Sequence, residues 1–439
     1  MINMCNVFDF VNDHDQSFDQ IKVKCGNVPG LVVRETSDLY LLANVPENET
    51  KNKKFQKTRK SNDAQNRDVE VRNDDVEVRN DDAQNRDVEV QNEVEVRNGE
   101  VQNGEVQNGD VQNDINVSLL QKQANGIIFE KGTNKVVAMC QNKLEDIYDY
   151  NEAGMLIMDN YNKGNDVRVE YCEDGTLIRL YYHRDTWNVA TTRCIDAKRS
   201  FWSSNKSFDS MFWEIFDKTL IESLDENFTY LFILLHKENR IVVRHKLNML
   251  VYISRIHNTT FVEDHTNQFR NIYGIKRPKL INLEDLDFRT MFNPYKRGIL
   301  IKICDKETGL WTFYKLDFEN YRLVKRIRGN VPEIRMRFLE LLSDPEGLAL
   351  LERFYSEYHF MFIIIKSDLM KLVKSIHKLY IESHVKHSIT VTEENQFFRT
   401  LKQLHAHYKT SQKPITFDEV RQKLFSMDKY VIKRFLAWS

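Results

Sequence analysis

The segment Val169-Glu170-Tyr171-Cys172-Glu173-Asp174-Gly175-Thr176-Leu177-Ile178 lies between two stretches in which apolar and polar side chains alternate. That alternation predicts half-buried β-strands, and an Asp-Gly pair is an ordinary hairpin turn between strands. More strand candidates follow, namely FTYLFILL (228–235), GILIKIC (298–304) and LWTFYKL (310–316). From residue 335 onward, apolar residues recur at the i, i+3, i+4 spacing of helices. The sequence therefore predicts an α+β fold, in which an antiparallel body precedes a C-terminal all-helical domain.

Local patterns predict individual elements within these two parts. IKVKC (21–25) and NRIVVRH (239–245) have the composition of short strands. In the helical part, a proline at the first helical position and two capping boxes predict helix starts. These three signals are Pro345, Thr390-x-x-Glu393 and Thr416-x-x-Glu419.

A low-complexity segment interrupts the body at residues 49–117. It contains a basic run, KNKKFQKTRK (51–60), and then repeats such as VEVRNDD and VQNGE, whose recurring hydrophobic residue is valine. One small side chain per repeat cannot offset the entropy of ordering the backbone, so the segment is predicted to be disordered. A valine-lined stack of strands is the alternative. Residues 61–114 carry 16 acidic and 5 basic side chains, whereas the rest of the chain carries 49 acidic and 58 basic ones. That positive excess outside the insertion suits a polyanionic partner.

The composition argues against several classes of protein. No apolar run approaches the roughly 20 residues of a membrane span, and the first residues lack the cationic start and apolar core of a secretory signal. We expect an intracellular, cytoplasmic protein that does not associate with membranes. The histidines show no H-E-x-x-H pattern, and the cysteines form no C-x-x-C pair, so neither a metal site nor a disulfide framework is predicted. The cysteines are Cys5, Cys25, Cys140, Cys172, Cys194 and Cys304.

The segment at 169–178 also resembles the K-x-D-G signature of the covalent nucleotidyltransferases, and most closely that of the bacteriophage-type ATP-dependent RNA ligases. In that family the lysine attacks the α-phosphate of ATP and forms a lysyl-adenylate. Asp174 and Gly175 are retained here, whereas Cys172 stands at the position of the lysine. The resemblance therefore implies a nucleotidyltransferase body that lacks the family's nucleophile.

Further blocks, one before this segment and the others after it, occur in the order that the family shows. The block at 228–243 resembles one whose glutamate contacts the nucleotide ribose, and Ile233 stands in place of that glutamate. Arg297 replaces the acid of an E-G motif, and Asp317 replaces the second lysine of a K-x-K motif. NGIIFE (125–130) resembles the family's R-G-x-x-F-E strand. The resemblance implies that four positions in these blocks keep nucleotide contacts: Lys315, Phe232, Gly298 and Arg240.

Taken together, these changes imply a catalytically inactive, RNA ligase-like protein that binds RNA or a protein partner and needs no cofactor. One alternative is an active ATP-dependent RNA ligase with unusual residues, which would use ATP and Mg²⁺ and a nucleophile that has moved to Lys135 or Lys143. The other is an architectural component of a larger assembly. The predicted segments are the first strands of the nucleotidyltransferase body (1–48), the insertion (49–117), the nucleotidyltransferase domain (118–330) and the helical domain (331–439).

Overall fold

The computed structural model describes residues 7, 11, 17–28, 30–44, 120–121, 123–266, 268–286, 296–309 and 311–438. The insertion predicted at 49–117 lies outside these residues. The chain divides into two compact units, Met1–Phe318 and Glu319–Ser439.

The first unit contains most of the β-structure, in fifteen described strands: β1 (Leu31–Glu35), β2 (Leu39–Asn44), β3 (Asn125–Glu130), β4 (Val136–Ala138), β5 (Glu145–Ile147), β6 (Asp166–Cys172), β7 (Thr176–His183), β8 (Thr186–Thr191), β9 (Phe228–Leu235), β10 (Met249–His257), β11 (Glu263–Asp264), β12 (Ile275–Lys276), β13 (Leu280–Ile281), β14 (Gly298–Cys304) and β15 (Trp311–Asp317). The α-helices described in this unit are α1 (Phe18–Gly26), α2 (Tyr150–Asn162) and α3 (Phe208–Trp213).

The strands form three sheets. The first has the antiparallel order β1-β2-β3-β4. The second has the order β11-β10-β9-β7-β8, and β12 joins it parallel to β10. The third has the order β13-β6-β14-β15-β5, in which β5 runs parallel to β15 and the other neighbours are antiparallel. Together with the helical second unit, this architecture confirms the predicted α+β class.

The third sheet has one apolar and one charged face, because side chains alternate along each strand. On the apolar face, Val169 of β6 and Ile299 and Ile301 of β14 pack in one buried cluster with Ala153 and Ile157 of α2. Helix α2 therefore covers this side of the sheet. The side chains between these apolar positions point to the opposite side, which we call the charged face. They include Asp166, Arg168 and Glu170 of β6, Lys302 of β14, and Lys315 and Asp317 of β15.

The second unit is helical. Its described α-helices are α4 (Glu319–Arg328), α5 (Ile334–Glu340), α6 (Pro345–Phe354), α7 (His359–Tyr380), α8 (Phe398–Ser411), α9 (Phe417–Phe425) and α10 (Lys429–Phe435). Pro345 opens α6 as predicted, and Thr416 and Glu419 form the predicted capping box of α9. Among the helices of the described residues, none is long and apolar enough to cross a membrane.

Three local predictions are wrong. IKVKC lies in helix α1, where Ile21 and Cys25, one turn apart, are buried while Val23 is 54% exposed. NRIVVRH is not a strand, because the backbone N–H groups of Val242 and Val243 donate to the carboxylate of Asp174. At Thr390-x-x-Glu393 no helix begins; turns follow, and α8 starts at Phe398.

Candidate functional site

The segment at 169–178, called the motif segment below, connects two sheets. Cys172 ends β6 in the third sheet, and Thr176 begins β7 in the second sheet. Strands β6 and β7 therefore do not pair with each other, and Asp174-Gly175 is not a hairpin turn. The segment places the ends of both sheets around Asp174, which makes this junction the candidate site.

Asp174 holds the junction together. Its side chain is 2% exposed, and its Oδ2 accepts hydrogen bonds from the backbone N–H groups of Val242 and Val243 at 2.9 and 2.7 Å. Its backbone oxygen lies 2.6 Å from Nε2 of His245. These bonds fix the segment that follows β9 against the motif. Asp174 therefore stabilises the junction between the two sheets.

Two glycines allow strands to approach closely at the same place. A Cβ atom on Gly175 would lie 2.5 Å from the carbonyl oxygen of Leu234 and 2.6 Å from a methyl group of Ile233. A Cβ atom on Gly298 would collide with the backbone of Leu316. Backbone oxygens cannot move aside as a flexible side chain can, so both positions require glycine for packing.

The register of the third sheet aligns three of the predicted site residues. Gly298 of β14 pairs with Cys172 of β6 on one side and with Asp317 of β15 on the other. Arg297, next to Gly298, donates through Nε to Oδ1 of Asp317 at 2.9 Å. The resemblance puts an acid at position 297 and a lysine at position 317. This chain has the opposite sign of charge at both positions, and the two side chains form an ion pair.

The remaining cations of the charged face are paired as well. Nζ of Lys315 lies 2.7 Å from Oδ1 of Asp146 in β5 and 3.9 Å from Oδ2 of Asp317. Two further pairs complete the described part of this face: Lys302 with Glu170 at 2.8 Å, where both side chains are buried, and Arg168 with Asp166 at 2.7 Å. Each cation that the described strands place on this face therefore has a carboxylate partner.

Cys172 is a poor candidate for a nucleophile. Desolvation by burial raises the pKa of its thiol, and the nearby Arg297 guanidinium only partly opposes that effect. A thiol reacts through its thiolate, so a raised pKa reduces the reactive fraction near neutral pH.

The other predicted site residues lie in the second sheet or beside it. Phe232 is fully buried, with its ring among Phe212, Tyr252 and Phe269. Ile233 is half-buried beside Gly175. Arg240 donates from Nε to the carbonyl oxygen of Val242 at 3.0 Å. In this conformation Phe232 packs in the core, whereas Ile233 and Arg240 lie near the junction.

Two lysines that the sequence reasoning missed lie beside the motif. The ammonium group of Lys296 is 3.1 Å from the ring centroid of Tyr171, and that of Lys279 is 6.0 Å from it. Within the described residues neither lysine has a carboxylate partner. Lys279 belongs to the basic run Lys276-Arg277-Pro278-Lys279, and Lys296 directly precedes Arg297. These short basic runs are the sequence feature that could have identified both lysines.

The described residues contain no group of three or more His, Cys, Asp or Glu side chains that could hold a metal ion. Lys135 and Lys143, the positions considered for a displaced nucleophile, are both exposed. The five cysteines within the described ranges are free thiols.

No protein-family profile matches the sequence. Two viral proteins, each described as an immediate-early protein ICP-46 homolog, are similar to it. The one from Invertebrate iridescent virus 6 is 24% identical over 286 residues, which cover 56% of this chain and 60% of that protein. The one from Invertebrate iridescent virus 3 is 27% identical over 210 residues, 44% of each chain. The chain therefore matches less than two thirds of the length of these relatives.

Solved structures of ATP-dependent ligases also show partial similarity. A putative ATP-dependent DNA ligase from Aquifex aeolicus aligns with 66% of this chain and 72% of its own, at a TM-score of 0.31 and 12% identity. An archaeal ATP-dependent RNA ligase aligns with 70% of this chain and 68% of its own, at a TM-score of 0.33 and 10% identity. A second form of that ligase gives a TM-score of 0.31.

Proposed function

We propose that this chain is an RNA ligase-like protein that does not transfer nucleotides and that binds single-stranded RNA. The observation that carries the first part is the pairing of charges on the charged face. Arg297, Lys315 and Lys302 each contact a carboxylate of the same chain. Their charges are thus neutralised internally, which leaves little positive potential for a triphosphate.

The residues at the motif positions do not fit ATP. A nucleotidyltransferase of this type needs cations against the phosphate oxygens and an amine nucleophile. Here Asp317 adds a negative charge 2.9 Å from Arg297, and the nucleophile position holds a thiol whose pKa is raised by burial. The side chain of Ile233 cannot hydrogen-bond to a ribose. The residues at these positions therefore do not support adenylyl transfer from ATP.

We expect no labelling of the purified chain by ATP that carries a radioactive α-phosphate, in either Mg²⁺ or Mn²⁺. An active ATP-dependent RNA ligase, treated in parallel, provides the positive control. Intact-mass measurement gives a second readout, because an adduct would add the mass of one AMP. A stable AMP adduct on any lysine of this chain would refute the inactive assignment and favour the active-ligase alternative.

The second part, RNA binding, is supported by Lys279 and Lys296. Within the described residues, no carboxylate neutralises either ammonium group, and the two groups lie 6.0 and 3.1 Å from the ring centroid of Tyr171. Lysines bind phosphate groups as point charges. The two ammonium groups beside one ring therefore form a small positive surface. Arg297, by contrast, is already paired with Asp317. The cluster Lys279-Tyr171-Lys296 is therefore the preferred RNA contact.

Replacing both lysines by glutamine, in Lys279→Gln/Lys296→Gln, should weaken binding of a single-stranded RNA and reduce its salt dependence. Each lost phosphate contact lowers the slope of log affinity against log salt by about 0.7, so the double variant should lose about 1.4. Filter binding over a range of salt concentrations measures this slope. Lys374→Gln/Lys409→Gln, which removes the same charge from exposed sites of the helical unit, is the matched control. Equal losses in both variants would contradict the assigned contact, and no RNA retention by the unaltered chain would leave only the protein-binding or architectural roles.

A further inference from the structure

Helix α2 carries several exposed apolar side chains outside the face that packs on its sheet. Met155, Met158 and Tyr161 are 62%, 56% and 60% exposed. They follow each other at intervals of three residues, so neighbouring members touch on the helix surface. Tyr148, just before the helix, is 66% exposed as well.

This surface is not required for the core of the first unit. The helix already buries Ala153 and Ile157 against the apolar face of the third sheet. An amphipathic surface helix normally places polar residues on its outer side, and contiguous exposed apolar residues of this kind mark interaction sites. Methionine is also common at such sites, because its flexible side chain adapts to different partners.

The charges around the surface indicate which partner it would accept. Glu152 and Asp159 are exposed and lie one helical turn before and after Met155, and the Asp149 carboxylate caps the first turn of α2. Between Lys143 and Lys163 the sequence contains no lysine or arginine. Because like charges repel, this surface disfavours RNA and anionic lipid, whereas a segment that combines apolar side chains with lysine or arginine matches it in both respects.

We propose that the exposed face of α2, formed by Met155, Met158 and Tyr161 with Glu152 and Asp159, is a docking site for a basic amphipathic helix of a protein partner. A helix suits the site because two helices pack by fitting ridges of side chains into grooves. The apolar side of the incoming helix would cover the methionines, and its lysines or arginines would lie beside the two carboxylates. The site shares no residue with the Lys279-Tyr171-Lys296 cluster, so the substitutions that test it leave the proposed RNA contact unchanged.

A fluorescein-labelled synthetic peptide, Leu-Lys-Lys-Leu-Leu-Lys-Leu repeated twice, serves as the probe, and fluorescence anisotropy measures its binding to the full chain. Met155→Glu/Met158→Glu should weaken binding at least about tenfold, a change of about 1.4 kcal/mol. The substitution also distinguishes docking from simple charge attraction. It adds negative charge, so attraction of the peptide to acidic parts of the chain would tighten binding, whereas loss of the apolar contact weakens it.

Phe360→Glu/Ile364→Glu is the matched control, because it places two acids on another exposed apolar helix face, that of α7. It should leave the affinity within about twofold, a difference of less than 0.5 kcal/mol, and circular dichroism verifies that both variants fold. No saturable binding of the peptide, tighter binding by the α2 variant, or equal weakening by the control would overturn the proposal. Sedimentation that shows a dimer of the unaltered chain and a monomer of the α2 variant would also overturn it, since the occupant would then be a second copy.

Discussion

Asp174→Ala is expected to lower the free energy of unfolding by about 3 kcal/mol, because it leaves two backbone donors at the sheet junction without an acceptor. The N–H groups of Val242 and Val243 both donate to Oδ2 of Asp174, and Val242 is 6% exposed, so water cannot readily replace the carboxylate. Hydrogen bonds to a charged acceptor are also stronger than neutral ones. Urea denaturation monitored by circular dichroism measures the loss.

Asp174→Asn is the matched control for this prediction. The amide has nearly the same shape and keeps one oxygen that can accept both hydrogen bonds, so the loss should be about half as large or smaller. Similar stability of the alanine variant and the unaltered chain would show that Asp174 does not anchor the segment after β9. A loss in the asparagine variant equal to that in the alanine variant would show that the negative charge, and not the acceptor, is what stabilises the junction.

Reversing the charge of one partner in the Arg297–Asp317 pair should cost about 2–3 kcal/mol, whereas reversing both should restore most of the stability. Asp317→Lys would place a third cation beside Arg297 and Lys315, and Arg297→Glu would place an acid beside Asp317. In the double variant the pair exists again with the opposite polarity, which is the polarity that the resemblance implies. The two side chains are 19% and 10% exposed, so solvent weakens the pair only in part.

A double-mutant cycle by chemical denaturation tests this coupling. The expected interaction energy is about 2 kcal/mol or more, and additive losses would mean that the two substitutions are independent. The double variant should still acquire no AMP from ATP, because Cys172 continues to occupy the nucleophile position.

Much of the architecture was predictable from local pattern. The apolar alternation in GILIKIC and LWTFYKL predicted β14 and β15, and the capping box at Thr416 predicted α9. The errors arose where a short pattern suited two structures. IKVKC alternates like a strand, but Ile21 and Cys25 are also one helical turn apart, and burial of that pair in α1 determined the outcome.

The sequence by itself determined the α+β class and the identities of the residues at the motif positions, Cys172, Ile233, Arg297 and Asp317. Only the tertiary structure decided what those residues do. Arg297 and Asp317 appear as two separate changes of sign along the chain, and they become one ion pair because β14 and β15 are adjacent in the third sheet. Likewise, Lys315 meets Asp146 because β5 pairs with β15 from a distant part of the sequence. Local patterns report which face of a strand is buried, whereas the partner of a charge depends on long-range register, which no short stretch of sequence contains.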